Sequence, residues 1–137
     1  MNGETIVITL VSSIISGILA TAITLYINYR MEQRKLKRDL VDDIFGYRYQ
    51  LSVGGQNSDK SGLNRALNRV PIVFCKDEKV LSAYDKFFEI CNAPEALVSS
   101  QEKDDVLVTL YKEICKAAKI EVKDWNDSRI KRVFTVR

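Results

Sequence analysis

Residues 5–27 read TIVITLVSSIISGILATAITLYI, an uncharged run of 23 residues that decides the architecture of the chain. As an α-helix rising about 1.5 Å per residue, the run is about 35 Å long, enough to cross a hydrocarbon core of roughly 30 Å with some tilt. Residues 1–4 precede it as a short N-terminus. The run therefore predicts a single N-terminal transmembrane helix.

A cluster of basic residues follows this run at once. Its members are Arg30, Arg34, Lys35, Lys37 and Arg38. A cleaved signal peptide carries its basic residues before the apolar core, whereas only Glu4 and the terminal amine precede this one. Basic residues collect on the cytoplasmic side of a membrane helix and gain about 1 kcal/mol each near anionic lipid. We therefore expect a membrane-surface cluster, an outer N-terminus and a cytoplasmic C-terminal domain.

The apolar run has two different faces at 100° per residue. Branched aliphatic residues such as Val7 and Val11 occupy one half, and small or hydroxylated residues occupy the other. The candidate pore or helix-packing residues on the second half are Thr9, Ser13, Ser16, Gly17, Ala20 and Thr24. This face forms a packing seam, lines a pore built from several copies, or bonds its hydroxyls to its own backbone carbonyls. The first two interpretations predict a homo-oligomer, and we favour a tetramer.

The remaining chain predicts one small all-α domain. Residues 28–53 continue the membrane helix as a basic juxtamembrane helix, residues 54–62 (GGQNSDKSG) form a flexible loop, and residues 63–137 form a cytoplasmic helical domain. An unbroken helix would pass a tilt of the domain directly into the span. The apolar stripe of the juxtamembrane helix contains Leu36, Leu40, Ile44, Tyr47 and Leu51.

Three further helices are expected. The first begins at about Ser61 and ends at Arg69 before Pro71, and Ile72–Phe74 is extended. Asp77 caps the second, whose buried stripe contains Val80, Leu81, Tyr84, Phe87, Phe88 and Cys91. The third runs from about Ser100 to Lys119, with Val106, Leu107, Leu110, Tyr111, Ile114, Ala117 and Ala118 inward. A turn at residues 125–128 then precedes a helix or strand.

The exposed side of the first of these helices is a candidate ligand site. Arginine and asparagine side chains at spacings of one and four suit phosphate and base contacts, although a solvated surface is the ordinary alternative. The candidate anion-binding residues are Arg65, Arg69, Asn64, Asn68, Arg48 and Lys60. Residues 39–137 carry 16 basic and 16 acidic side chains, so a general polycation is excluded. An oligomer can still gather a few arginines around one axis.

The sequence lacks the common motifs of enzyme active sites. It has no histidine, no phosphate loop, no dinucleotide-binding glycine pattern and no close CxxC pair. Cys75, Cys91 and Cys115 are far apart and are predicted to be small buried apolar residues. We therefore expect no catalytic residue, no metal, no cofactor and no enzymatic activity.

The sequence resembles a family of small bacterial single-pass membrane proteins of unassigned domain type. The resemblance rests on the layout and on ALNRVPIVF at Ala66–Phe74, followed by KDEKV. It extends to the membrane channel effector of Hailong-type anti-phage defence systems. In such systems a partner nucleotidyltransferase makes short single-stranded DNA oligomers that hold a multimeric channel shut until infection removes them.

The resemblance and the two-faced span together predict a homo-oligomeric channel gated by an oligonucleotide. The implied partners are the membrane, further copies of the chain, short single-stranded nucleic acid and an operon-encoded nucleotidyltransferase. The alternative is a membrane-tethered scaffold that binds a protein through its cytoplasmic domain and tolerates exchange of its span. A third class, a lysis or toxin protein, would damage membranes alone and need little of its soluble domain.

Overall fold

A computed structural model describes residues 3–52, 61–94, 97–122 and 125–131 of the 137-residue chain. The described residues form helices, turns and short connections, without a strand. The helices are α1 (Gly3–Tyr47), α2 (Tyr49–Ser52), α3 (Ser61–Val73), α4 (Glu78–Asn92), α5 (Ser100–Ala117) and α6 (Asp127–Lys131). The predicted all-α class, with a long apolar N-terminal helix followed by a helical bundle, is confirmed.

The chain divides into two compact units, residues 1–35 and residues 36–137. The first unit contains the apolar run of α1, and the large aliphatic side chains of that run are exposed. Among the described residues, α1 is the one helix that is long and apolar enough to cross a membrane. No part of its apolar window is buried, unlike the core helix of a soluble protein. An α-helix that could span a bilayer is therefore present as predicted.

Helical structure continues from the apolar run into the basic segment, as expected, because α1 runs unbroken from Gly3 to Tyr47. The expected continuation beyond that point is wrong, since Arg48 lies in a turn before α2 begins at Tyr49. Within the predicted stripe, Leu40 and Ile44 are fully buried, whereas Leu36 is 43% exposed. The core therefore begins one turn later than the apolar spacing indicates.

The core of the second unit draws side chains from α1, α3, α4, α5 and α6. The fully buried members include Leu40, Ile44, Val70, Phe74, Val80, Leu110, Ile114 and Ile130. Phe45 adds a ring contact to Tyr111 at a centroid distance of 5.1 Å, and an edge contact to Trp125 at 5.9 Å. Burial of this apolar surface is the main favourable contribution to folding of the unit.

Helix α3 is longer than predicted, and Pro71 lies inside it. Proline removes one backbone donor and usually ends a helix. Here the next turn is kept because Phe74 N donates to Val70 O at 2.9 Å, and both side chains are fully buried. The predictions that α3 stops at Arg69 and that Ile72–Phe74 is extended are therefore wrong. Burial of Phe74 outweighs the local preference of Pro71.

Asp77 precedes α4 at the predicted position, but its side chain does not cap the helix. Its carboxylate instead accepts a hydrogen bond from Lys37 Nζ, and the ammonium also lies 5.3 Å from the centre of the Phe74 ring. Helix α5, in contrast, has an N-cap hydrogen bond from Glu102 N to Ser99 Oγ at 3.1 Å. A long-range ion pair therefore replaces the expected local cap at α4.

The buried face of α4 is narrower than predicted. Val80, Ala83 and Phe87 are buried, whereas Phe88 is 59% exposed and Cys91 is exposed. In α5 the expected burial of Leu110, Tyr111, Ile114 and Cys115 is confirmed, and Val108 is buried in addition. The segment after Trp125 is helical over the described residues, as α6.

The three cysteines differ in exposure, so the prediction that all are buried is wrong for two of them. Cys75 and Cys91 are exposed and Cys115 is buried. Burial raises the pKa of the Cys115 thiol to about 11. Partial burial also raises the pKa of Cys91, and the charge of Lys103 opposes that increase.

Native thiol labelling should distinguish these three sites. At about pH 8, below the ordinary thiol pKa of about 8.5, iodoacetamide should modify Cys75 and Cys91 but not Cys115, which stays a buried neutral thiol. Peptide mass spectrometry after labelling measures the three extents. Labelling in denaturant is the control and should modify all three. Equal native labelling of Cys115 would contradict the packing of α5.

Candidate anion-binding site

A cleft of about 590 Å³ lies where α1 ends and α3 begins. Its lining combines two arginines, one aspartate, two tyrosines and three small residues with a buried glutamine. The lining residues are Asp43, Tyr47, Tyr49, Gln50, Ser61, Gly62, Arg65, Ala66 and Arg69. The volume is within the roughly 300–1,000 Å³ of ordinary small-molecule pockets. The cleft therefore has the size and side chains to bind an anionic ligand with a planar group.

Arg65 and Arg69 reach the cleft because they are four residues apart on α3. Side chains at this spacing lie on one face of a helix, one turn from each other. Leu63, Ala66 and Val70 hold α3 against the core through its opposite and flanking positions. The amphipathic pattern of α3 therefore presents both guanidinium groups to the same space.

Gln50 positions the start of α3. Its side chain is 5% exposed, and its Oε1 accepts a hydrogen bond from Leu63 N at 3.0 Å. The first backbone N–H groups of a helix have no partner inside the helix, so this amide supplies one from outside. Sequence analysis missed Gln50, because nothing in the local pattern distinguishes it from a solvated polar residue.

Asp43 on α1 forms an ion pair with Arg69. The distance between Asp43 Oδ2 and Arg69 Nη1 is 2.9 Å, and the two side chains are 44% and 41% exposed. A pair this exposed contributes only about 0–1 kcal/mol to stability. The pair therefore orients Arg69 and leaves it open to competition from another anion.

Arg65 is exposed and forms no ion pair with the described residues. It lies one turn before Arg69, whose guanidinium is already held by Asp43. A guanidinium is always charged and presents five N–H donors in a planar fork, which matches phosphate oxygens. Arg65 is therefore the cationic group of the cleft best placed to take an anion directly.

The Tyr47 ring packs against Gly62. A Cβ atom added at Gly62 would lie 2.6 Å from both Cδ1 and Cε1 of Tyr47, which is closer than real contacts allow. Glycine at this position thus lets the ring lie against the start of α3. Tyr47 is still 39% exposed and lines the cleft. The site consequently contains an aromatic surface beside its arginines.

Three other predicted anion-binding residues, Arg48, Asn64 and Asn68, do not line the cleft. Arg48 is not part of the cleft lining, because its Nη1 donates to Ile130 O at 2.9 Å and its guanidinium lies 5.1 Å from the centre of the Phe45 ring. Asn64 and Asn68 are exposed on α3 but do not line the cleft. Lys60 lies outside the described residues. Arg48 therefore joins α6 to α1 instead of serving the site.

The basic residues that follow the apolar run also differ in their contacts and exposure. Lys37 is bound to Asp77, and its side chain is only 20% exposed, so it belongs to the packed second unit and not to a free basic surface. Arg30 lies over the Tyr26 ring at 5.5 Å. Arg34, Lys35 and Arg38 are exposed. Only part of the predicted membrane-surface cluster is therefore free to meet lipid.

Hydroxyl groups in the apolar run donate to carbonyl oxygens one turn back. Thr9, Ser16, Thr21 and Thr24 each make such a bond at 2.8 Å. A Cβ at Gly17 would meet no atom within 4 Å. Gly17 and Thr21 lie in a shallow groove that also contains Ile14, Ile18, Ala22 and Leu25. Hydrogen bonding to the helix's own backbone therefore accounts for four of the hydroxyls. The open groove is compatible with a packing seam between helices.

Among the described residues, the side-chain hydroxyl of Tyr111 is buried and has no hydrogen-bond partner. Burial raises the pKa of Tyr111 above its ordinary value, and the charge of Arg48 partly opposes this. Among the described residues, no group of three or more His, Cys, Asp or Glu side chains converges on a possible metal site. The expected absence of catalytic residues, metal and cofactor stays a prediction.

The chain was compared with protein families, curated proteins and solved structures. A family model described as "Family of unknown function (DUF6680)" matches residues 1–134. No curated protein and no solved structure matches the chain. The expected membership of a family of unassigned domain type is confirmed, and the match shows no link to Hailong-type systems.

Proposed function

The chain belongs to the DUF6680 family of unknown function, and from that premise we propose that it is a non-enzymatic, homo-oligomeric membrane effector. Copies of the apolar part of α1 surround an ion channel at the bacterial inner membrane, with the N-terminus outside and residues 36–137 in the cytoplasm. A short single-stranded oligonucleotide, bound at the cleft, gates the channel. The biological setting, taken from the resemblance alone, is anti-phage defence with an operon-encoded nucleotidyltransferase.

This proposal rests on one observation: the cleft and the apolar run both use residues of helix α1. Asp43 and Tyr47 line the cleft, and both belong to the helix that contains the apolar run. A ligand shifts a conformational equilibrium only by the difference between its affinities for the two states. An anion that draws Arg69 away from Asp43 changes the contacts of α1 directly and so has a route to the span.

The hydroxyl bonds of the apolar run are compatible with a pore. A serine or threonine hydroxyl that donates to its own backbone keeps two lone pairs, which can accept hydrogen bonds from water. The open surface at Gly17 lets a second helix approach closely, as at other small-residue seams. Self-association through Gly17 and a hydroxylated lumen formed by Ser13 and Ser16 can therefore coexist in one assembly.

One observation favours the alternative function, a membrane-tethered scaffold. Ile72, Phe88 and Leu97 are 75%, 59% and 77% exposed, and exposed apolar side chains mark a protein-binding surface where they form one contiguous patch. The scaffold would keep its function when a different transmembrane helix replaces residues 5–27. A channel would lose its function in that exchange, because its lumen is built from those residues.

Planar-bilayer conductance of the purified full-length protein tests the channel. The wild type should give unitary currents, and the double variant Ser13→Leu, Ser16→Leu should lose them or change their amplitude, because two branched side chains replace hydroxyls in the lumen. The matched control is Val7→Leu, Val11→Leu on the opposite face, which should conduct as the wild type does. A silent bilayer across a panel of oligonucleotides would overturn the channel and favour the scaffold.

A further inference from the structure

The cleft has a net charge of one positive unit among the described residues that line it. Arg65 and Arg69 contribute two positive charges, and Asp43 contributes one negative charge. A terminal phosphate carries about −1.5 to −2 at pH 7, because its second pKa is about 6, whereas a phosphodiester carries a single charge. The charge of the cleft therefore matches a phosphodiester better than a terminal phosphate.

Asp43 is the residue that creates this preference. Its Oδ2 lies 2.9 Å from Arg69 Nη1, and its side chain is 44% exposed. A ligand bound to both arginines must approach this carboxylate, and every additional negative charge on the ligand is repelled by it. The Arg65 guanidinium forms no ion pair with a carboxylate of the described residues. A single negative charge can therefore bind at Arg65 with the least repulsion.

Tyr47 adds a preference for a planar group beside the phosphate. The ring is held against Gly62, lines the cleft and is partly exposed. Aromatic side chains of this kind stack the bases of single-stranded nucleic acids without regard to sequence. Gly62 is three residues before Arg65, so the ring and the guanidinium flank the same first turn of α3.

We propose that the cleft binds one internal phosphodiester and one adjacent base of a single-stranded nucleic acid, and that Asp43 discriminates against a terminal phosphate. This inference rests on the proposed function and specifies which part of the oligonucleotide the cleft binds. Each subunit holds an internal nucleotide of the ligand and not its phosphorylated end. Asp43 is thus a specificity-determining residue of the site.

The variant Asp43→Asn tests the charge argument in full-length protein purified in detergent. Two probes are compared by calorimetry: the dinucleoside monophosphate of deoxyadenosine, which has one phosphodiester, and deoxyadenosine 5′-monophosphate. The wild type should prefer the first. In the variant the affinity for the monophosphate should rise about tenfold and reverse the preference, since one repulsive charge is removed. An unchanged preference in Asp43→Asn would overturn the proposal. An asparagine still accepts a hydrogen bond from Arg69, so the fold is kept.

Two variants of Tyr47 test the base contact. Tyr47→Phe should bind the dinucleoside probe as the wild type does, whereas Tyr47→Leu should bind it about tenfold more weakly, because stacking is lost. Short-chain phosphatidylglycerol presents a phosphodiester without a base and should bind more weakly than the dinucleoside. Equal or tighter binding of the lipid would assign the site to a headgroup and overturn the nucleic-acid proposal.

The binding assays need no ion flux, so they separate this inference from the channel. A silent bilayer with a reversed preference in Asp43→Asn would support the ligand assignment and overturn the channel. Conductance controlled by oligonucleotides, with no change of preference in Asp43→Asn, would leave the proposed function intact and overturn this inference alone.

Discussion

Replacing Arg65 by glutamate should strongly weaken binding of a short deoxyadenylate oligomer while leaving the helical domain folded. The change removes a charge-assisted hydrogen bond and places a carboxylate in the cleft that already contains Asp43. The loss should be about 100-fold in affinity, corresponding to about 3 kcal/mol for one lost charged contact plus the new repulsion. Fluorescence anisotropy of a labelled oligomer with the detergent-purified protein measures it.

The matched control for this prediction is Lys86→Glu. Lys86 is exposed on α4 and does not line the cleft, and the variant changes the net charge of the protein by the same amount. It should bind the oligomer nearly as the wild type does. Equal weakening by both variants would mean that overall charge, and not the cleft, controls binding.

The double variant Arg65→Glu, Arg69→Glu should also lose ligand control of conductance. Unchanged ligand binding in this double variant would rule the site out.

Phe87→Ala should destabilise residues 36–137 by about 3–5 kcal/mol, whereas Phe88→Ala should change stability by less than about 0.5 kcal/mol. Phe87 is 8% exposed and belongs to the core, and the adjacent Phe88 is 59% exposed. Truncation of the buried ring leaves a cavity that the surrounding helices fill only in part. For a domain with a total stability of about 5–15 kcal/mol, the first loss is large enough to approach unfolding.

Thermal unfolding followed by tryptophan fluorescence measures this difference. Trp125 is the only tryptophan of the chain, and its edge contact with Phe45 places it beside the core of the unit. Phe87→Ala and Phe88→Ala remove the same atoms from the same helix, so each is the control for the other. Equal effects of the two changes would contradict the orientation of α4.

Much of the fold was predictable because helices have a strong local signature. Length and apolar composition of residues 5–27 predicted α1, and the periods of three and four predicted α3, α4 and α5. The same periods gave the shared face of Arg65 and Arg69, which the cleft uses. Two of the wrong predictions have the same cause. Pro71 was predicted to end α3, and Phe88 was predicted to be buried, because a local pattern cannot weigh packing against neighbours that are distant in sequence.

The candidate site could not be predicted in full, because it is formed by contacts between residues that are far apart in the sequence. Asp43 and Arg69 are 26 residues apart, and Lys37 and Asp77 are 40 apart, yet each pair is in direct contact. Gln50 is an ordinary polar residue in the sequence and becomes a buried partner of Leu63 N only when α2 lies against α3. Arg48 was predicted to bind a ligand and instead bonds to Ile130, which is 82 residues away.

The sequence by itself therefore determined the membrane-crossing length of the first helix, the all-α class and the face on which each helix carries its charges. These properties depend on residues within one or two turns, where spacing alone sets the geometry. Only the tertiary structure decided which arginine enters the cleft, which aromatic ring is buried and which carboxylate faces Arg69. Those outcomes depend on competition among distant partners for the same charge or the same space, and that competition is resolved only when the helices pack.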